Sequence, residues 1–79
     1  MWSNLMNTGQ IKVGAKLRSI IHDGDFQHET IYVVKRPMEI FLMAQIIEQN
    51  GHHLPQEQQL VIPIRFADLI DYGFEFWVD

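Results

Sequence analysis

Hydrophobic and polar positions divide this chain into one long apolar block and several shorter alternating stretches. The block is Pro37 to Gly51, PMEIFLMAQIIEQNG. Set out at ~100° per residue, Leu42, Ile46, Met43, Ile47, Ile40 and Ala44 fill an arc of about 200°, twice the stripe of an ordinary core-facing helix. Pro37 suits a first helical position, Gly51 suits the left-handed residue after a helix, and Glu39 falls where the helix dipole favours a carboxylate. These features predict the main helix over residues 37–51. Gln45, Glu48 and Gln49 occupy the other arc, together with Met38 and Phe41, a pair one turn apart that points away from the apolar side.

The shorter stretches predict strands. Residues 1–9 read as a loosely ordered start in which Trp2, Leu5 and Met6 can pack and Asn7, Thr8 and Gly9 make a turn. Ile11–Val13 is a candidate short strand ending at Gly14. Lys16–His22 alternates, with Leu17, Ser19 and Ile21 on one side and Lys16, Arg18 and Ile20 on the other. Asp23-Gly24 signals a turn, and the β-branched and aromatic run Glu29–Lys35 completes a hairpin. Beyond Gly51, HHLPQEQQ reads as a loop and Gln59–Ile64 as a buried strand, with Pro63 placing its end at an edge or bulge. Arg65–Tyr72 suits one or two helical turns with Phe66, Leu69 and Ile70 on one face and Gly73 as the cap. Phe74–Val78 closes as a strand, Phe74, Phe76 and Val78 opposite Glu75 and Trp77.

The fold expected from this order, β-β-α-β-(short α)-β, is α+β: a small two-layer domain with an antiparallel or mixed sheet of four or five strands and one main helix (37–51), spanning residues 1–79 as a single domain. One helix covers one face of such a sheet. Ile20, Tyr32 or Val33, Val61 and Trp77 are not expected to share a side, so bulky groups are expected on the open face. The stretch GAKLR, residues 14–18, resembles the opening of many small β-barrels, a pattern too common to assign a family.

Composition narrows the chemistry. A chain of 79 residues buries only about 60% of its unfolded surface, so its own core gives modest stability. The sequence has no cysteine, which removes disulfides, thiolate zinc sites and a cysteine nucleophile and favours a reducing compartment. No apolar run nears the roughly 18 residues of a membrane span, and MWSNLMNTGQ lacks the basic start and apolar core of a signal peptide. A cytoplasmic domain is the expectation. Residues 1–36 carry five basic against three acidic side chains, and residues 37–79 carry one against seven. An acidic half repels phosphate backbones and attracts basic surfaces, so a protein partner is expected and direct nucleic-acid binding is not.

The densest polar cluster is HDGDFQHE, residues 22–29, where His22, Asp25 and His28 are the candidate metal ligands if a tight hairpin gathers them. A solvated hairpin tip is the competing reading, and no known ligand spacing matches. His52 and His53 follow the predicted helix end, where an imidazolium would meet the last carbonyls; a loop folded over the hairpin would instead bring all four histidines together. Ser3, Thr8, Ser19 and Thr30 sit on no strand-to-helix elbow, the glycines are scattered singly, and Asp68, Asp71 and Glu75 form no recognisable acid and base pair. Tyr32, Phe74, Phe76 and Trp77 are suitable stacking groups for RNA, but the last strand also carries Glu75 and Asp79.

The expected function is therefore a non-enzymatic protein-interaction module, without cofactor, that binds and blocks or bridges a larger protein through a basic surface. Met38, Phe41, Gln45, Glu48, Glu75 and Trp77 are its candidate contacts, since interfaces favour aromatics and methionine within a polar rim. A short acidic chain of this kind suits a phage- or mobile-element-encoded inhibitor of a host nucleic-acid-directed enzyme. Two alternatives stand beside it: a homodimeric structural or regulatory domain, and a small metal-dependent enzyme or sensor using the His22–Glu29 cluster.

Overall fold

The hairpin predicted around Asp23-Gly24 grows, in the folded chain, into a sheet whose described pairings are all antiparallel. The computed structural model describes residues 1–4 and 11–78. Among them are seven strands: β1 (Trp2–Asn4), β2 (Lys16–Asp23), β3 (Phe26–Pro37), β4 (Phe41–Gln49), β5 (His52–His53), β6 (Val61–Arg65) and β7 (Glu75–Trp77). A 3-10 turn at Gln56–Gln58 and one short helix, α1 (Phe66–Asp71), complete the regular structure of the described residues. The strand order is β1-β7-β2-β3-β4-β5, and β6 also pairs with β4. Leu5, Met6 and the turn expected at Asn7, Thr8 and Gly9 lie outside the described residues.

The expected two-layer α+β sandwich is corrected by this topology. No helix covers residues 37–51; Phe41–Gln49 is strand β4, paired on one side with β3 and on the other with β6 and β5. The physical reason is burial on both faces. Leu42 and Ala44 are fully buried in the core, while Phe41, Met43, Gln45 and Ile47 are only half-covered on the other side. A strand apolar on both faces lacks the polar alternation of a half-exposed one, and on a helical projection it spreads into an overly broad arc. Pro37 ends β3 instead of opening a helix. Asn50-Gly51 is a hairpin turn with φ of 51° and 82°, the paired left-handed conformation of a type I′ turn, which Asn-Gly adopts most readily. Asn50 Oδ1 also accepts a hydrogen bond from the Glu29 N–H at 2.9 Å.

Other boundaries follow the sequence more closely. β2 and β3 pair from Lys16↔Val33 to Asp23↔Phe26, closing on Gly24 (φ 60°) and Asp25. Ile11–Val13 is not a strand, although Ile11 is buried; the chain turns there, and the Gly14 N–H donates to the Val34 carbonyl at 2.8 Å. Pro63 lies on β6, whose only paired neighbour among the described strands is β4. In α1, Leu69 is fully buried and Phe66 half-buried, while Ile70 turns out to solvent, so the predicted apolar face is narrower than its three residues.

The sheet bends until strands far apart in its order share one core. Leu17 of β2, Val34 of β3, Leu42 and Ala44 of β4, Ile64 of β6, Leu69 of α1 and Phe74 form a single cluster with Ile11 and Tyr32. Leu17, Leu42, Leu69 and Val34 are fully buried, each contributing roughly 1.5–3 kcal/mol of apolar burial. Register shifts between Ile31 and Tyr32 and between Val34 and Arg36 supply bulges, which increase local twist and bend a strand. Ile31 is buried as well, on the face opposite Tyr32 and outside this core.

Candidate functional site

The outer face of the sheet gathers most of the predicted contact residues. Register aligns Asn4, Glu75, Arg18, Ile31, Glu48 and His53 in one row across six strands. Gln45 lies in a second row between Val33 and Val61. Arg18 dominates the first row. Its Nη2 and Nε donate to Glu75 Oε1 at 2.7 and 3.0 Å, its Nη1 reaches Glu29 Oε2 at 3.5 Å, and its guanidinium carbon stands 4.7 Å from the Trp2 ring centroid. Trp2 meets Trp77 edge to face at 5.3 Å. Glu75 and Trp77 are thus bound into a corner that ties β1, β7 and β2 together, with the carboxylate already engaged.

Met38 and Phe41 do not form an exposed pair on a helix. Met38 sits in the β3–β4 turn, its N–H donating to the Phe41 carbonyl at 2.8 Å, and Phe41 is a partly buried strand residue opposite Arg65. Ile20, Val33, Val61 and Trp77 share the outer face after all, while Tyr32 belongs to the core. Beside them, Gln45 Nε2 donates to Gln59 Oε1 at 3.0 Å, and Gln59 Nε2 donates to the Leu54 carbonyl at 2.8 Å.

The histidine cluster is dispersed by register. His22 faces Gln27 and His28 faces Ile21, adjacent pairs whose side chains leave opposite faces of the hairpin. His52 and His53 form β5 instead of capping a helix, and His53 Nδ1 lies 3.9 Å from Glu48 Oε1. Among the described residues, no three histidine, aspartate or glutamate side chains gather where they could hold a metal ion.

A cleft that no linear pattern announces lies between the far half of β2 and the segment β6-α1. Its volume is about 430 Å³ and it is lined by Ser19, Ile20, Ile21, Tyr32, Ile62, Ile64, Asp68, Tyr72 and Phe74. Aliphatic and aromatic groups make most of this lining, the composition of a site that binds apolar groups. Ser19 and Tyr32 supply its polar point, a buried pair of hydroxyls 3.2 Å apart, and the Tyr32 ring lies 5.7 Å from that of Phe74. Ile21, 62% exposed, and Tyr72, 73% exposed, stand at its mouth. Asp68 accepts from Arg65 Nε at 3.0 Å and Nη2 at 3.2 Å, which with its charge holds the Arg65 guanidinium above its ordinary pKa.

Sequence reasoning missed the cleft because its walls come from five separate segments. The visible signal was Ile21, an isoleucine close to a polar hairpin tip with no core to join. No known protein family, curated protein or solved structure matches this chain. Among the described residues, no helix is long and apolar enough to cross a membrane.

Proposed function

We propose that this protein is a non-enzymatic interaction module that binds and blocks or bridges a larger protein, and that the cleft beside β2 is where the partner docks. The observation that carries the reading is the apolar lining of a 430 Å³ cleft with Ile21 and Tyr72 exposed at its mouth. Large apolar side chains around a concavity are what a binding hot spot requires: a partner's aliphatic or aromatic group leaves water, and the surrounding residues exclude it. The acidic residues nearby, Asp23, Asp25 and Asp71, are all exposed and favour a partner with a basic surface, the chemistry expected for the target of an acidic inhibitor.

This reading moves the principal contact away from Met38, Phe41, Glu75 and Trp77. Those four lie in a turn, in a paired strand and in the Arg18–Trp2 corner, while the cleft presents side chains with room beside them. Affinity capture with the wild-type chain and with Ile21→Lys and Tyr72→Ser tests it. Both variants change exposed residues, so each should fold as the parent does, checked by circular dichroism. A specific partner recovered by the parent and lost by both variants is the expected result. Recovery of the same proteins by all three chains, or of none by the parent, would sink the proposal.

A further inference from the structure

The cleft borders a stretch of sheet edge that no other described strand pairs with. β2 pairs with β3 along its whole length but with β7 only at Leu17↔Phe76 and Arg18↔Glu75. β7 begins at Glu75 because the chain before it turns into α1, where the Phe74 N–H donates to the Leu69 carbonyl at 2.9 Å. From Ser19 to Asp23 the β7 side of β2 therefore has no strand beside it among the described residues.

The hairpin geometry shows which groups that edge presents. Asp23↔Phe26 closes a two-residue turn, and the closing pair of such a turn exchanges both of its main-chain hydrogen bonds. Counting back by twos, Ile21 and Ser19 bond to β3, while Ile20 and His22 turn their N–H and C=O groups toward the open side. The opposite strand agrees: Glu29, which faces Ile20, accepts at its carbonyl from the Asn50 N–H at 2.8 Å, away from β2. Side chains alternate the other way, so Ser19 and Ile21 point into the cleft.

The free edge of β6 differs. The Phe66 N–H donates to the Ile40 carbonyl, and the Leu60 carbonyl accepts from the Ile46 N–H, so even-numbered residues there face β4. Val61, Pro63 and Arg65 face outward, and proline has no N–H to offer. Among the described residues, the outer edge of β6 is blunted and the edge along the cleft keeps its donors.

We propose that the β2 edge from Ser19 to Asp23 accepts an extended segment of a partner protein by strand addition, with an aliphatic side chain entering the cleft and a flanking lysine or arginine facing Asp23 and Asp25. The inference rests on the interaction-module reading and adds how the partner is held. Main-chain hydrogen bonds to Ile20 and His22 supply affinity, and the cleft selects the side chain. A single extended segment is the occupant because the far side of the cleft is walled by this chain's own Ile62, Ile64, Asp68 and Tyr72, which stand across from Ser19 and Ile21. Basic flanks follow from charge: Asp23 and Asp25 are exposed at the tip, and neither has an ion-pair partner within 4.0 Å among the described residues.

The test starts with selection from a displayed library of random dodecapeptides against the intact protein. Enrichment of alternating aliphatic residues with lysine or arginine at one end is expected. The enriched peptide is then made in its natural form and with N-methyl groups at the alternate residues that would face β2. Removing those donors should weaken binding by about tenfold or more. The natural peptide should also slow amide hydrogen exchange at Ile20 and His22, leaving the odd-numbered β2 amides little changed. Equal binding of both forms, or binding at the cleft without protection of those amides, would overturn strand addition and leave cleft docking standing. Absence of any enriched peptide also overturns it, while partner capture lost on Ile21→Lys would still uphold the interaction module. If Ile20 and His22 are already protected in a free protein of doubled mass, a second copy occupies the edge and the proposal fails.

Discussion

The two halves of β2 are one strand of alternating side chains, yet they live in different surroundings. At Leu17 and Arg18 both edges are paired, one face is sealed in the core and the other is closed by an ion pair and an aromatic ring. From Ser19 onward one edge has no strand beside it among the described residues, and the core face gives way to a cleft. On the proposed reading, stability and recognition divide along a single strand, at the point where β7 stops. Four substitutions along this strand, from the closed end to the open one, test the division.

Leu17→Ala should have the largest effect, lowering the free energy of unfolding by about 2–5 kcal/mol in urea titration, because a fully buried leucine leaves a cavity. A loss below about 1 kcal/mol would show that the closed half is not the anchor. Arg18→Met should follow at about 1–3 kcal/mol, since it leaves Glu75 without its charged donor in a partly buried setting. The companion Glu75→Gln measured in a double-mutant cycle with it isolates the pair; additive losses would show the two to be uncoupled. Ser19→Ala, at the boundary, removes the partner of the Tyr32 hydroxyl and should lower stability by about 1 kcal/mol, with Tyr32→Phe in the same background restoring part of it. Ile21→Lys should change stability by no more than about 0.5 kcal/mol while abolishing partner capture, the smallest effect on folding and the sharpest on binding. A large destabilisation by Ile21→Lys would erase the contrast between the halves.

How much of this was legible from sequence depends on how local each feature is. The β2–β3 hairpin was readable because alternation and an Asp-Gly turn act within a few residues. β4 was misread as a helix because Leu42 and Ala44 are buried on one face while Phe41, Met43 and Ile47 are half-covered on the other, and a strand apolar on both faces loses the period that would identify it. The corrective signal was Asn50-Gly51, which favours a type I′ hairpin more strongly than Gly51 alone favours a helix end. Of the predicted contacts, Gln45, Glu48, Glu75 and Trp77 come onto one face through register, which depends on long-range pairing. The cleft and the open edge were hidden for the same reason: both depend on where β7 ends relative to β2.

The corner formed by Trp2, Arg18 and Trp77 sets what light can report about this molecule. The sequence has two tryptophans, and their rings stand 5.3 Å apart. Intrinsic tryptophan emission is therefore a signal from one place, the junction where the chain's first strand meets its last. It will register separation of β1 from β7, whereas a ligand entering the cleft meets Tyr32 and Tyr72. Occupancy of the cleft is better followed through tyrosine, or through a tryptophan placed by design at Ile21.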